Sequence, residues 1–378
     1  MEDWVLERLQ QFVGRGDRED LEQRVEKALT RQQMGDHVSY RVVQNLPALA
    51  RGLVVIEEGV VPEYSWVRRV FHLTNAIVKY YYSPFYIEEQ VPGYHARVAW
   101  SGGRQVAFTR DGRCCAFTSD RAPDFIPERF FADHPELAVG LTVGGKGIPY
   151  AKPAYRGEAD DLEAWGTEIF ELGVREPIAT ADKYALLEEY EIAAPPHVGP
   201  FEAGDLAELD AWMKERNEAG SQGLLLKPSE RHHRPLKYAL PSAIQRQAPA
   251  WLGFDNGLEE DPYLQRLAQA ACAATELGLE PQSWDFEAVG RALLEPLAKA
   301  AAEVAAGKTL GEDFSVWLHR KEAAEELLAQ LEERSPKGAI ERQSLEPDGD
   351  GWRLRFRRLH PDATAALQRR LSGASYRD

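Results

Sequence analysis

Pro84-Phe85-Tyr86-Ile87-Glu88-Glu89-Gln90-Val91-Pro92-Gly93-Tyr94-His95-Ala96-Arg97 reads as a strand, a tight turn and the start of a second strand. Phe85 to Glu89 reads as a strand, opened by the β-prone Phe85, Tyr86 and Ile87. Pro92-Gly93 then stops it, because proline fixes φ and lacks an N–H while glycine tolerates a turn conformation closed to other residues. Val98 to Trp100 lead through Ser101-Gly102-Gly103 into Gln105 to Thr109, the pattern of a β-hairpin.

Outward from that centre, Val54-Val55-Ile56 precede a turn at Gly59, and residues 3–30 carry helical periodicity in Trp4, Leu9, Phe12, Leu21, Val25 and Leu29, broken from Gly14 to Asp17. Short strands alternate with loops as far as Tyr238. Beyond Pro241 the chain turns Ala-, Leu- and Glu-rich, predicting helix from Pro262 to Ala306 and again from Trp317 to Arg334. A hairpin is expected from Ile340 to Leu359 around Pro347–Gly351, followed by a helix from Asp362 to Leu371. Strands grouped in the centre and helices grouped after them predict an α+β chain.

Composition narrows the function. A hydrophobic content of 44% with 28% charged residues describes a globular protein with a real core. There is no apolar run near the ~18 residues of a membrane span, so no membrane partner and a cytoplasmic location are expected. The formal charge of −16 argues against nucleic-acid binding over the whole surface and leaves room only for a local basic groove. Three cysteines, two of them the neighbours Cys114 and Cys115, provide neither a disulfide framework nor zinc spacing, and these two read as buried strand residues.

Several short motifs invite function and have plainer readings. Gly307-Lys308-Thr309 lacks the earlier glycine of a phosphate loop, since Ala302 stands there, and reads as a helix end capped by Gly307. Val143-Gly144-Gly145-Lys146-Gly147 reads as a turn. His232-His233 has no accompanying metal-ligand cluster and reads as a solvated loop. Arg353, Arg355 and Arg357 alternate with Trp352, Leu354 and Phe356, so the arginines share one strand face, either paired with acids such as Glu341 and Glu346 or forming a phosphate-binding stripe.

Pro84 to Arg97 resembles the first motif of the archaeal homodimeric ATP-dependent RNA ligases, members of the covalent nucleotidyltransferase superfamily. In that family the strand ends in a Lys-x-(Asp or Asn)-Gly turn followed by Tyr and Arg. Phe108-Thr109-Arg110-Asp111-Gly112 through Phe117-Thr118-Ser119-Asp120-Arg121 resembles the following hairpin, as does Phe130-Phe131 with His134-Pro135-Glu136-Leu137. Ile148-Pro149-Tyr150 stands in place of an Asn-Pro-Tyr. Ile169-Phe170-Glu171-Leu172 is similar to the strand whose aromatic residue stacks on adenine, Ser221-Gln222-Gly223-Leu224-Leu225-Leu226-Lys227 to the fourth motif, and Pro235-Leu236-Lys237-Tyr238 to the fifth. Asp261-Pro262-Tyr263 onward resembles the helical dimerisation module. Gly351 to Arg358, with Leu371-Ser372-Gly373, resembles the C-terminal domain.

The resemblance implies a nucleotidyltransferase core with an ATP-grasp-like antiparallel sheet at residues 61–245. An α/β extension at 1–60 precedes it, a helical dimerisation domain at 246–313 follows, and a small α+β domain at 314–378 ends the chain. It also implies a homodimer and a pocket for ATP, AMP or an RNA end formed by Glu88, Gln90, Gly93, Arg97, Phe170, Lys227 and Lys237. In the family a lysine attacks the α-phosphorus of ATP to form lysyl-AMP. Here that position is Gln90, whose amide nitrogen is delocalised into its carbonyl and is no nucleophile. Pro92 replaces the polar turn residue, while Thr142 and Gln222 stand at the family's carboxylate positions, so Mg²⁺ or Mn²⁺ is expected to be held poorly. The expected function is an RNA-ligase-like protein that has lost catalysis and binds a nucleotide or RNA end. The alternatives are an active ligase joining 5′-phosphate and 3′-hydroxyl RNA ends, with Lys146 as displaced nucleophile, and a non-catalytic structural partner.

Overall fold

The turn at Gln90–Gly93 sends the two halves of the Pro84–Arg97 stretch into different sheets. The computed structural model describes residues 2–373 apart from 15–17, 82, 151–155, 157–158, 160, 203, 231–233, 243–260 and 281–285. In chain order the strands are β1 (Leu29–Met34), β2 (His37–Val42), β3 (Val54–Ile56), β4 (Gly59–Val61), β5 (Arg68–Val70), β6 (Phe85–Glu89), β7 (Tyr94–Ser101) and β8 (Arg104–Thr109). They continue as β9 (Leu137–Gly144), β10 (Glu163–Glu171), β11 (His197–Phe201), β12 (Gly223–Pro228), β13 (Leu236–Ala239), β14 (Gly311–Leu318), β15 (Ile340–Asp348) and β16 (Gly351–Leu359).

These strands build four sheets, in the orders β1-β2-β3-β4, β10-β9-β7-β8, β11-β6-β12-β13-β5 and β14-β16-β15. Every pairing is antiparallel except the parallel β13–β5 contact. β6 therefore lies in the five-stranded sheet and β7 in the central four-stranded one, and a cleft opens between them where the turn crosses over. The Gly102-Gly103 hairpin forms as the sequence predicts, with Ala96 opposite Thr109 and Trp100 opposite Gln105.

Apolar side chains knit three of the sheets together. Val54, Ile56 and Val61 of the first sheet, Val98, Phe108 and Val139 of the central sheet, and Phe314, Leu354 and Phe356 of the C-terminal sheet belong to one continuous core. The five-stranded sheet has its own core against the helices Leu73–Tyr80 and Leu206–Glu218, joined by Ala273 of the helix Asp261–Glu276 and by Leu277 just after it. That helix also supplies Glu276, whose carboxylate accepts the backbone N–H groups of Leu73 and Thr74 at 2.8 Å each and so satisfies the start of another helix.

Where the structure departs from the sequence reading, the reason is local. The first helical stretch is two helices, Asp3–Val13 and Arg18–Val25, and Leu29 already starts β1. The long second stretch is likewise divided, into Asp261–Glu276 and Phe286–Ala305, with Gly278 at φ +66° after the first. Trp317 lies on β14, not on a helix, because Phe314, Val316 and Leu318 alternate into the core, and the helix begins only at Lys321. Cys114 makes an isolated bridge to Phe108, and Cys115 accepts at the start of the helix Ala116–Arg121; both are buried, but neither sits within a strand. The arginine face of β16 is paired: Arg353 with Asp348, Arg355 with Glu346 and Arg357 with Asp313, the plainer of its two readings. Gly307 ends its helix at φ +78°, with its N–H on Val304 O.

Arg97 fastens the first sheet to the central one. It is fully buried, and its guanidinium donates to the carbonyls of Pro62, of Gly52 at 2.8 Å and of Thr109 at 2.8 Å. Arg97→Met would leave three buried carbonyls short of donors, at roughly 1–3 kcal/mol for each unsatisfied group. The expected outcome is a loss of at least ~3 kcal/mol of unfolding free energy by denaturant titration; a loss under 1 kcal/mol would contradict this role.

Candidate nucleotide-binding cleft

The cleft between the central and five-stranded sheets holds a cavity of about 430 Å³. Strand register explains much of its lining. Opposed residues of neighbouring strands point to one side of a sheet, and the five-stranded sheet aligns Arg69 with Lys237, Lys237 with Leu225 and Leu225 with Glu88. Lys227 follows two residues after Leu225 on the same face. From the central sheet come His95 and Thr142, which are register partners, together with Glu168.

Gln90 sits on the turn that joins the two walls. Its backbone N–H donates to Gly223 O at 2.7 Å, and its side-chain Nε2 donates to Gln222 Oε1 at 3.4 Å. Two glycines make the turn possible. A Cβ on Gly93, at φ +142°, would fall 2.4 Å from Val143 O, and one on Gly223, at φ +155°, would fall 2.4 Å from Tyr238 O. Pro92 packs by its carbonyl against Gly144.

A chain of buried charges forms the cleft floor. Lys183, on the helix Thr180–Glu189, pairs with Glu88; Glu88 pairs with Lys227 at 3.0 Å; Lys227 pairs with Glu168 at 2.9 Å. The chain thus runs from a helix through β6 and β12 to β10, from one sheet to the other. A bulge in β10, between Gly166 and Glu168, takes Thr167 out of register, and its carbonyl accepts from both Lys227 and Lys183. Burial alone would raise the Glu88 carboxyl, but the Lys183 and Lys227 ammoniums overcome it and bring the group down to about 2. Burial pulls Lys183 down to about 8 against the attraction of Glu88. Lys227 is also penalised by burial, yet Glu168 and Glu88 hold it above its ordinary value.

His95 faces the opposite extreme. Burial and then Arg110, Lys237 and Lys227 push its imidazole down to about 3, so it is neutral, with Nδ1 3.0 Å from Thr142 Oγ1. In all, Arg69, Arg110, Lys227 and Lys237 face two carboxylates, Glu89 and Glu168, across the cavity. On a chain of formal charge −16 this is a locally cationic hollow.

Residues 256–374 match the family model described as the C-terminal region of the ligase Pab1020. Over 279 residues the chain is 26% identical to an uncharacterised protein of Methanocaldococcus jannaschii, spanning 71% of this chain and 70% of that protein. A solved structure from Aquifex aeolicus, described as a candidate ATP-dependent DNA ligase, is 25% identical with a TM-score of 0.82 and covers 95% of this chain and 100% of its own. An archaeal ATP-dependent RNA ligase shares the fold at a TM-score of 0.84 and 22% identity, over 98% of this chain and 99% of that one. The C-terminal third of the chain thus matches that ligase family's model, and the whole chain shares the fold of these ligases. Its fold is the nucleotidyltransferase type of those ligases, with antiparallel sheets at the core.

Set in the ligase fold, the residues singled out from sequence separate into two groups. Gln90, Gly93, Thr142, Lys227 and Lys237 line the cavity, and Gln222 touches it through Gln90. Arg97, Phe170, Glu88 and Lys146 do not line it. Arg97 is turned away to its three carbonyls, a correction to its expected phosphate role: a guanidinium spent on buried backbone has no face left for a ligand. Phe170 is fully buried beneath Tyr64, whose ring meets it edge-on at 5.6 Å, so the aromatic surface facing the cavity is Tyr64. Glu88 lies under the floor within the ion-pair chain. Lys146 does not line the cavity, and His232-His233 lie outside the described residues.

Tyr64, Arg69, His95, Arg110, Glu168 and Lys183 were not singled out from the sequence. His95 and Arg110 stood inside quoted motifs, and Glu168 stands two residues before Phe170 on the same strand face; Tyr64 and Lys183 carried no local signal. Among the described residues no group of three His, Cys, Asp or Glu side chains is placed to hold a metal. The available carboxylates are engaged by cations: Glu88 and Glu168 by lysines, Glu89 by Arg216 at 3.4 Å. This donor set does not fit a divalent cation.

The floor makes a pH prediction. Because the Glu88 carboxyl is lowered on folding, its contribution is fully present above about pH 4.5 and is lost as pH falls toward 2. Glu88→Gln should remove that part of the acid-unfolding slope. It should also cost ~3–5 kcal/mol at neutral pH by stranding two lysines. Urea titrations of both proteins from pH 7 to pH 2 check it, and parallel stability curves would contradict it.

Proposed function

We propose that this ligase-family protein holds the phosphate of a nucleotide or of an RNA 5′ end in the cleft without forming a covalent nucleotide adduct. The observation that carries the reading is Gln90 on the cleft turn, hydrogen-bonded to Gln222 and faced by four cations. The cations supply phosphate affinity. The amide supplies no nucleophile. Neither nearby buried lysine replaces it: Lys227 is kept protonated by two carboxylates, and Lys183 is only 2% exposed and paired with Glu88.

ATP or AMP is the small-molecule ligand that fits the ligase fold, and RNA ends are the macromolecular one. Electrostatic support for pyrophosphate departure is weak, because Thr142 and Gln222 are neutral and the remaining carboxylates already serve lysines and an arginine. We also propose a homodimer through the helices at 261–305, where Phe286 and Leu294 are exposed at 66% and 67%.

Incubation with labelled ATP and Mg²⁺ or Mn²⁺ should give no protein–AMP. Gln90→Lys alone should remain far below an active ligase, because each missing electrostatic partner costs ~10²–10³-fold in rate. Gln90→Lys combined with Thr142→Glu and Gln222→Glu should label better than the single variant. Ready labelling of the wild type, or of Gln90→Lys alone, would overturn the reading.

A further inference from the structure

The segment from Glu63 to Val67 crosses the cleft as a strap and divides it into two chambers. Tyr64 and Val67 line the cavity described above, whereas Glu63 and Trp66 line a neighbouring one of about 420 Å³. The chambers share Ser65, Glu168, Lys227 and Pro235, so they adjoin along the strap and the Lys227–Glu168 ion pair.

Their electrostatics differ. Cations outnumber carboxylates four to two in the first chamber. In the second, Arg175, Lys183, Lys227 and Arg234 are matched by an equal number of glutamates, and Pro177, Ile178 and Pro228 add apolar wall. A balanced, partly apolar chamber has no net attraction for phosphate. Its carboxylates can accept from the amino groups of a base or from a ribose 2′-hydroxyl. At its rim stands Trp66, 76% exposed, the most exposed large hydrophobic side chain among the described residues. An indole left so open offers its π-face for a nucleobase to stack on.

We infer that the second chamber is a nucleobase subsite, with Trp66 as its stacking platform, for the terminal nucleotide of an RNA whose 5′-phosphate occupies the first chamber. The inference rests on the proposed function. It adds what that reading lacks, a way to engage the base next to the phosphate. The openness of Trp66 favours a strand over a free mononucleotide, because the chain can continue past the indole into solvent.

The test compares a short 5′-phosphorylated oligoribonucleotide with the same strand lacking its 5′-terminal base, each titrated into the wild type, Trp66→Ala and Trp66→Phe. Base–aromatic stacking of this kind is worth about tenfold or more in affinity. Trp66→Ala should weaken the intact strand about tenfold and leave the abasic strand unchanged, and Trp66→Phe should recover most of the loss. With its side chain in solvent, Trp66 can be replaced without disturbing the core. If the wild type binds but Trp66→Ala weakens both strands equally or neither, the subsite is wrong and the proposed function stands. If the wild type binds neither strand, both readings fall.

Discussion

The cleft depends on the buried chain Lys183–Glu88–Lys227–Glu168. Four charges out of water are stable only together, because removing any one strands its neighbour at several kcal/mol. Since the chain begins on a helix, passes through the five-stranded sheet and ends on the central sheet, it sets the distance between the cleft walls. The β10 bulge is part of the same device: it frees the Thr167 carbonyl to take lysine protons that would otherwise lack acceptors. Arg97 plays the corresponding part between the first and central sheets, using backbone carbonyls where the floor uses carboxylates.

The constraint has a chemical consequence. Charges that hold the walls are not free to serve a reaction: Glu88 and Glu168 are paired with lysines, Lys227 is held as a cation, and His95 is kept neutral by its burial and then by the cations around it. The charged groups that line the cavity are mostly cations, and the residue at the turn is the amide Gln90. These features support the proposed role, the binding of a phosphate in a ligase fold.

Much of this was legible in the sequence. Pro92-Gly93 after an alternating strand marked the turn, the Gly102-Gly103 hairpin was placed correctly, and the order of short motifs pointed to the ligase family. Gln90, Thr142, Lys227 and Lys237 were recognisable because they stand within those motifs. Less legible was which face a residue takes. Arg97 and Phe170 occupy motif positions, yet one is consumed by carbonyls from three separate segments and the other is covered by Tyr64. Both facts depend on residues 12 to 106 positions away, which no local pattern encodes. Trp317 was assigned to a helix because the charged run after it dominates the composition, while its strand is fixed by pairing with β16. Lys183 sits on an ordinary helix and acquires meaning only from Glu88, 95 residues earlier.

The central claim, that the cleft is a phosphate site, is tested most directly by comparing the affinities of one oligoribonucleotide carrying a 5′-phosphate or a 5′-hydroxyl, for the wild type and for Arg110→Ala/Lys237→Ala. Charge-assisted contacts to phosphate are worth ~1.5–3 kcal/mol each. The phosphorylated strand should therefore bind the wild type at least tenfold more tightly, and the double variant should lose that preference. Equal affinity of the two strands for the wild type would contradict the account.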